Sequence, residues 1–123
     1  MDSKDRNPET VLPFKPVDYL VLLVLAEQER HGYGIVQDIE KRSDGQIRLE
    51  PGNLYRTIRR LIREGLLEES DRRPAPESDD ERRRYYRLTP FGLNAAAAET
   101  TRLKRLVRFA ESRSLAGHKE LAP

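Results

Sequence analysis

Arg56, Arg59, Arg60 and Arg63 recur within the stretch PGNLYRTIRRLIREGLL, residues 51–67. Wound at 3.6 residues per turn, the four guanidinium groups share one side of a helix, and Leu54, Ile58, Leu61 and Ile62 share the other. A guanidinium can fork onto a phosphate or onto a guanine edge, so this helix is a candidate for lying against nucleic acid, the alternative being a helix that is merely solvated. A helix that is only solvated usually mixes both signs, and here Glu64 alone dilutes the arginines. Arg56 and Arg60 are expected to read bases, and Arg59 and Arg63 to grip phosphates. Asn53, near the helix start, can hydrogen-bond a base edge or a phosphate. Tyr55 lies at the border of the two faces: either its hydroxyl reaches a phosphate or its ring is partly buried. A second basic run, Arg82, Arg83 and Arg84, is expected on the DNA backbone; the alternative is a solvated run paired with Asp79, Asp80 and Glu81.

Other chemistries are poorly supplied. The chain has no Cys, which excludes disulfides, thiolate metal sites and Cys nucleophiles. His31 and His118 are far apart in sequence, whereas a metal site needs several converging ligands, so no metal is expected. There is no paired nucleophile and base and no Gly-rich phosphate loop, so neither an enzyme nor a bound cofactor is expected.

The elements that must position these residues can be read from punctuation and periodicity. Residues 1–14 are polar, with Pro8 and Pro13, and are expected to form a flexible arm. A first helix should run from Pro16 to about Glu29, with Pro16 at its first position and Asp18 in its first turn. It is apolar nearly all round, so it needs covering on more than one side. After the turn His31-Gly32-Tyr33-Gly34, a second helix should carry Ile35, Val36 and Ile39 inward to about Arg42. Ile47 and Leu49 mark a short extended piece before the arginine-bearing helix, which Gly65 closes. Leu66–Glu69 and Tyr85–Leu88 read as two short strands around a long charged connection. Tyr85 and Tyr86 should point to opposite faces. Thr89-Pro90 opens a last helix running to about Ser114. Three helices, a two-stranded wing and a long final helix give a mainly α (α+β) winged helix-turn-helix, expected over residues 15–89, with the last helix at 90–116 and a tail at 117–123.

One domain is the prior for 123 residues, and a chain of this size gains by pairing with a second copy. The net charge is only +2, from 23 basic and 21 acidic residues, so the local basic patches matter more than the total. The start of the chain has no apolar signal region, and Val17–Ala26 is far short of the ~20 residues of a bilayer span. A cytoplasmic protein with no membrane partner is the expectation.

The motifs HGYGIVQDI, PGNLYRTIRRLIREGLLE and RRRYYRLTPFG resemble those of the PadR family of bacterial transcriptional regulators, over residues 17–93. The single long C-terminal helix resembles the short PadR subfamily. The resemblance implies a homodimeric repressor of a palindromic operator, an inverted repeat in double-stranded DNA, and, as in some members, release by a small planar or hydrophobic effector. It implies a phosphate contact for Tyr33 at the start of the second helix; a core tyrosine beside two glycines is the alternative. The sequence departs from the family pattern at Glu50, where Ser or Thr often stands, at Asn53, where a small hydroxyl residue is common, and at Arg56, where Pro or Ala is common.

On the last helix, Leu93, Ala96, Thr100, Leu103, Val107 and Ala110 recur at spacings of three and four, and Leu106 and Phe109 widen the stripe. With Leu20 and Leu23 of the first helix, these residues are the expected dimer interface. Phe14, Tyr19 and Phe109 are the aromatic residues near it that could meet an effector. The rival to a DNA-binding regulator is a winged helix that binds another protein through the same apolar helices.

Overall fold

Proline opens three helices of the computed structural model, which describes residues 6–71, 84–113 and 115. They are α1 (Pro16–Glu27), α3 (Pro51–Arg63) and α4 (Pro90–Ser112). A proline at the first helical position costs nothing, because its missing N–H would have no partner there. The remaining helix, α2 (Gly32–Arg42), is capped by His31, whose Nδ1 accepts the backbone N–H of Gly34 at 3.0 Å. Thr89 caps α4 by accepting the Gly92 N–H at 2.9 Å, while its hydroxyl donates to the Gly65 carbonyl at 2.6 Å. The end of α3 is thereby locked to the start of α4.

Helix α3 stops in a Schellman arrangement: the Gly65 N–H returns to Ile62 O and the Leu66 N–H to Leu61 O, with Gly65 at φ +79°. The strands are β1 (Arg30–His31), β2 (Leu67–Glu69) and β3 (Tyr85–Leu88), antiparallel in the order β1-β3-β2. Only two strands are legible in the sequence. The third consists of two residues, too few to show alternation, and its partner Tyr85–Tyr86 lies far along the chain. Tyr86 is buried and Tyr85 partly exposed, as the alternation predicts.

The core joins Val21, Leu22 and Leu25 of α1, Ile35 and Ile39 of α2, Leu54, Ile58 and Leu61 of α3, Leu66 and Leu67, and Phe91 and Ala95 of α4. Ile62, expected inside, is 37% exposed, because the buried stripe of α3 follows Leu54, Ile58 and Leu61 and leaves the next residue at its edge. Gly92 is buried where α4 crosses the entry to β2; a Cβ there would overlap the Leu66 carbonyl oxygen.

The N-terminal arm differs from its expectation from Arg6 onward. The Arg6 guanidinium donates to the Glu64 carbonyl at 2.7 Å and lies 3.9 Å from the centre of the Phe91 ring. Pro8–Val11 form a 3-10 turn capped by Asn7, and the backbone N–H of Phe14 donates to Glu99 on α4. The last helix also differs in part. Ala96 is 4% exposed and packs inside its own chain, so it is not open to a second subunit. The Thr100 hydroxyl hydrogen-bonds the Tyr19 hydroxyl at 2.6 Å, joining α4 to α1. Leu20, Leu103 and Ala110 are half-buried, and Leu23, Leu93, Leu106, Val107 and Phe109 are exposed.

Candidate nucleic-acid interface

Helix α3 is sharply two-sided. Leu54, Tyr55, Ile58 and Leu61 are buried, and Asn53, Arg56, Arg59 and Arg63 are exposed. Pro51 starts the helix without a side-chain cap, since Glu50 makes no capping bond. Asn53 Oδ1 accepts a hydrogen bond from Arg56 Nη2, so these two polar groups form one unit near the helix start. Facing them across an open groove of about 570 Å³ are Lys15, Val17 and Asp18 at the start of α1. Arg56, Thr57, Arg59, Arg60 and Arg63 line the α3 side. Such a groove concentrates positive potential along one face of a chain that is nearly neutral overall.

Arg60 is placed differently from its neighbours. Its Nη2 donates to both oxygens of Asp18, at 2.8 and 3.0 Å, and its Nη1 lies 3.4 Å from Glu64 Oε1. The hydrogen bond it donates to Asp18 holds the guanidinium above its ordinary pKa range. The expected base reader is thus engaged within its own chain. The sequence alone places Asp18 only in the first turn of the first helix. The overlooked signal is that Asp18 stands in register with Val21, Leu22 and Leu25, on the buried stripe of α1. A carboxylate on such a stripe requires a partner.

Tyr55 resolves toward burial, at 8% exposure. Its hydroxyl sits 2.6 Å from where a Cβ of Gly32 would be, so the missing side chain of Gly32 lets α3 pack against the start of α2. Tyr33 goes the other way: at 59% exposure it is no core residue and stands at the start of α2. In the wing, Arg84 Nε lies 3.9 Å from Glu69, and Arg87 donates to Glu68 at 2.8 Å. Arg82 and Arg83 lie outside the described residues, as does the acidic run at 77–81. Among the described residues no helix is long and apolar enough to cross a membrane, and no three His, Cys, Asp or Glu side chains cluster to hold a metal ion.

A helix-turn-helix with an arginine-faced third helix and an adjacent three-stranded sheet defines the winged-helix class of DNA-binding proteins. Within it, the chain belongs to the PadR-like family of transcriptional regulators, whose family model it matches over residues 21–98. It is 35% identical over 83 residues to the transcriptional regulator Rv3488 of Mycobacterium tuberculosis, spanning 68% of this chain and 71% of that protein. In fold it is similar to a PadR family transcription regulator of Clostridium difficile R20291, with TM-score 0.64 and 22% identity, covering 82% of this chain and 99% of that one. It is likewise similar to RosR of H. salinarum, with TM-score 0.61 and 23% identity over 99% of this chain and 100% of that one.

Proposed function

We propose that the chain is a homodimeric repressor that binds an inverted-repeat operator and is released by a small hydrophobic or aromatic effector. The observation that carries the DNA reading is the exposed face Asn53, Arg56, Arg59 and Arg63 on a helix whose other side is core. In this reading α3 enters the major groove. Asn53 and Arg56 meet base edges, while Arg59, Arg63, Lys15 and Tyr33 meet the backbone. Arg82, Arg83 and Arg84 extend the contact to the flanking phosphates. Two subunits pair through Leu93, Leu103, Leu106, Val107, Phe109 and Ala110 with Leu20 and Leu23, and α4 acts as the dimerisation helix. An apolar face of this size is hard to leave in water, and its solvent-facing side chains support the pairing. Pairing sets the two recognition helices about 34 Å apart, one turn of DNA. An effector seated near Phe14, Tyr19 and Phe109 acts by binding the DNA-competent and incompetent spacings unequally. Such a regulator works in the cytoplasm.

The experiment is selection from a random duplex library over a salt series, with sequencing of the retained DNA. An inverted repeat with steep salt dependence supports the reading. Retention of no motif, with weak binding only at low salt, sinks it and favours a protein partner for the apolar helices.

A further inference from the structure

We infer that Asp18 sets the affinity of the DNA interface, acting by holding Arg60 off the nucleic acid. The inference rests on the DNA-binding reading above. Asp18 is 6% exposed yet borders the same groove as Lys15, Arg56, Arg59 and Arg63. Its carboxylate takes Nη2 of Arg60 with both oxygens, across 42 residues of sequence. Glu64 faces the other terminal nitrogen. One cation therefore stands between two carboxylates in the middle of the basic face, and that spot is net negative.

Two consequences follow for binding. First, both terminal nitrogens of Arg60 face carboxylates, Nη2 Asp18 and Nη1 Glu64, so the fork that a guanine edge requires is taken. Second, it is withheld from phosphate. Non-specific affinity for DNA is a sum of sequence-independent phosphate contacts, so neutralising a central cation lowers affinity for every sequence alike. Base readout by Asn53 and Arg56 is untouched. The pair also fixes the third turn of α3 against the first turn of α1, which keeps the recognition helix in one orientation. Asp18 thus lowers the electrostatic affinity for every duplex and leaves base discrimination to Asn53 and Arg56.

The test is Asp18→Asn, which keeps the shape and removes the charge. Binding is measured on the selected operator and on a scrambled duplex over a salt series, with thermal melting of each variant alongside. The expected result is a salt slope steeper by about 0.9 per subunit on both duplexes, a several-fold gain in affinity for each at low salt and an unchanged specificity ratio. The double variant D18N/R60Q, which removes both charges together, should return to the wild-type slope. Should D18N not stay folded, the double variant decides alone: a wild-type slope supports the inference, and one shallower by about 0.9 per subunit means that Arg60 grips phosphate in the native protein and overturns it. An unchanged slope in folded D18N also overturns it while leaving the DNA reading intact. Failure of the wild type to bind any duplex removes the DNA reading itself.

Discussion

The backbone N–H of Phe14 donates to Glu99 Oε2 at 2.8 Å, tying the N-terminal arm to the middle of α4. Glu99 is 1% exposed and closes the buried stripe Gly92, Ala95, Ala96 and Glu99. Arg102, one turn on, donates to both of its oxygens, through Nε to Oε1 and through Nη2 to Oε2 at 3.1 Å. A buried carboxylate is tolerable here because a guanidinium and a backbone donor replace its water.

These contacts give acid sensitivity. The Arg102 hydrogen bond, opposed by burial and aided by the Phe14 N–H, holds the Glu99 carboxyl below its ordinary value. The stabilisation is complete above the unfolded pKa of about 4.3 and is lost as pH falls through the lower folded-state value. Denaturation at pH 7 and below pH 4 should show a smaller acid-induced loss in Glu99→Gln than in wild type. Glu99→Ala at pH 7 should cost about 2 kcal/mol, by stranding the Phe14 donor. An equal acid loss in both proteins would assign the sensitivity elsewhere.

Gly92 and Gly32 should respond unequally to alanine. At Gly92 the new methyl meets the Leu66 carbonyl, which is backbone and pinned by the Thr89 N–H at 3.1 Å. At Gly32 it meets the outer end of the Tyr55 ring, a side chain that can tilt. We expect a loss of about 3 kcal/mol for Gly92→Ala and about 1 kcal/mol for Gly32→Ala, read from urea midpoints. The reverse order would contradict the packing.

His31→Ala should cost about 1 kcal/mol, because the Gly34 N–H loses its capping acceptor. His31→Asn should recover most of that loss. A deficit shared by both variants would point to the edge-on ring contact of His31 with Tyr85, 5.5 Å between centres, as the larger contribution.

If Arg59 and Arg63 grip phosphate, replacing either by Gln should make the salt dependence of operator binding shallower by about 0.9 per subunit and weaken all sequences alike. Arg56→Gln should instead relax preference at one base position, at a cost of about 1–3 kcal/mol on the best operator. Uniform weakening by all three would move Arg56 to the phosphates.

Val107 is 56% exposed and Leu106 49%, so charging them leaves the subunit's own core intact. If α4 pairs two copies of the chain, Val107→Glu should shift dimer to monomer in sedimentation equilibrium while the helical circular dichroism is kept. A variant that remains dimeric would place the pairing surface elsewhere.

Most of the scaffold was legible in the sequence because punctuation and period agree at the helices. Pro16, Pro51 and Pro90 open them, Gly65 closes the third, and Leu54, Ile58 and Leu61 repeat at helical spacing. What escaped depends on contacts between distant segments. The strand Arg30–His31 exists because Tyr85–Tyr86 arrives beside it, and Arg6 is ordered because Glu64 and Phe91 offer it an acceptor and a ring. At the candidate site, a face count treats all four arginines alike. Asp18 separates Arg60 from the others, and no periodicity within α3 carries that information.

Strand β3 pairs on one side with Arg30–His31 and on the other with Leu67–Glu69. The β1 side of the sheet therefore cannot assemble as a local hairpin, and the β2 side must close a long connection. During synthesis every helix through α3 can emerge before the middle strand is made. Both flanking edges then wait for Tyr85–Leu88, and Leu66 and Leu67 wait with them for Phe91. Closure of such long loops is slow compared with helix formation, so the wing is among the last parts of the domain to be completed. Chains arrested before residue 85 expose two unpaired strand edges, and those edges are where self-association of the unfinished protein would begin.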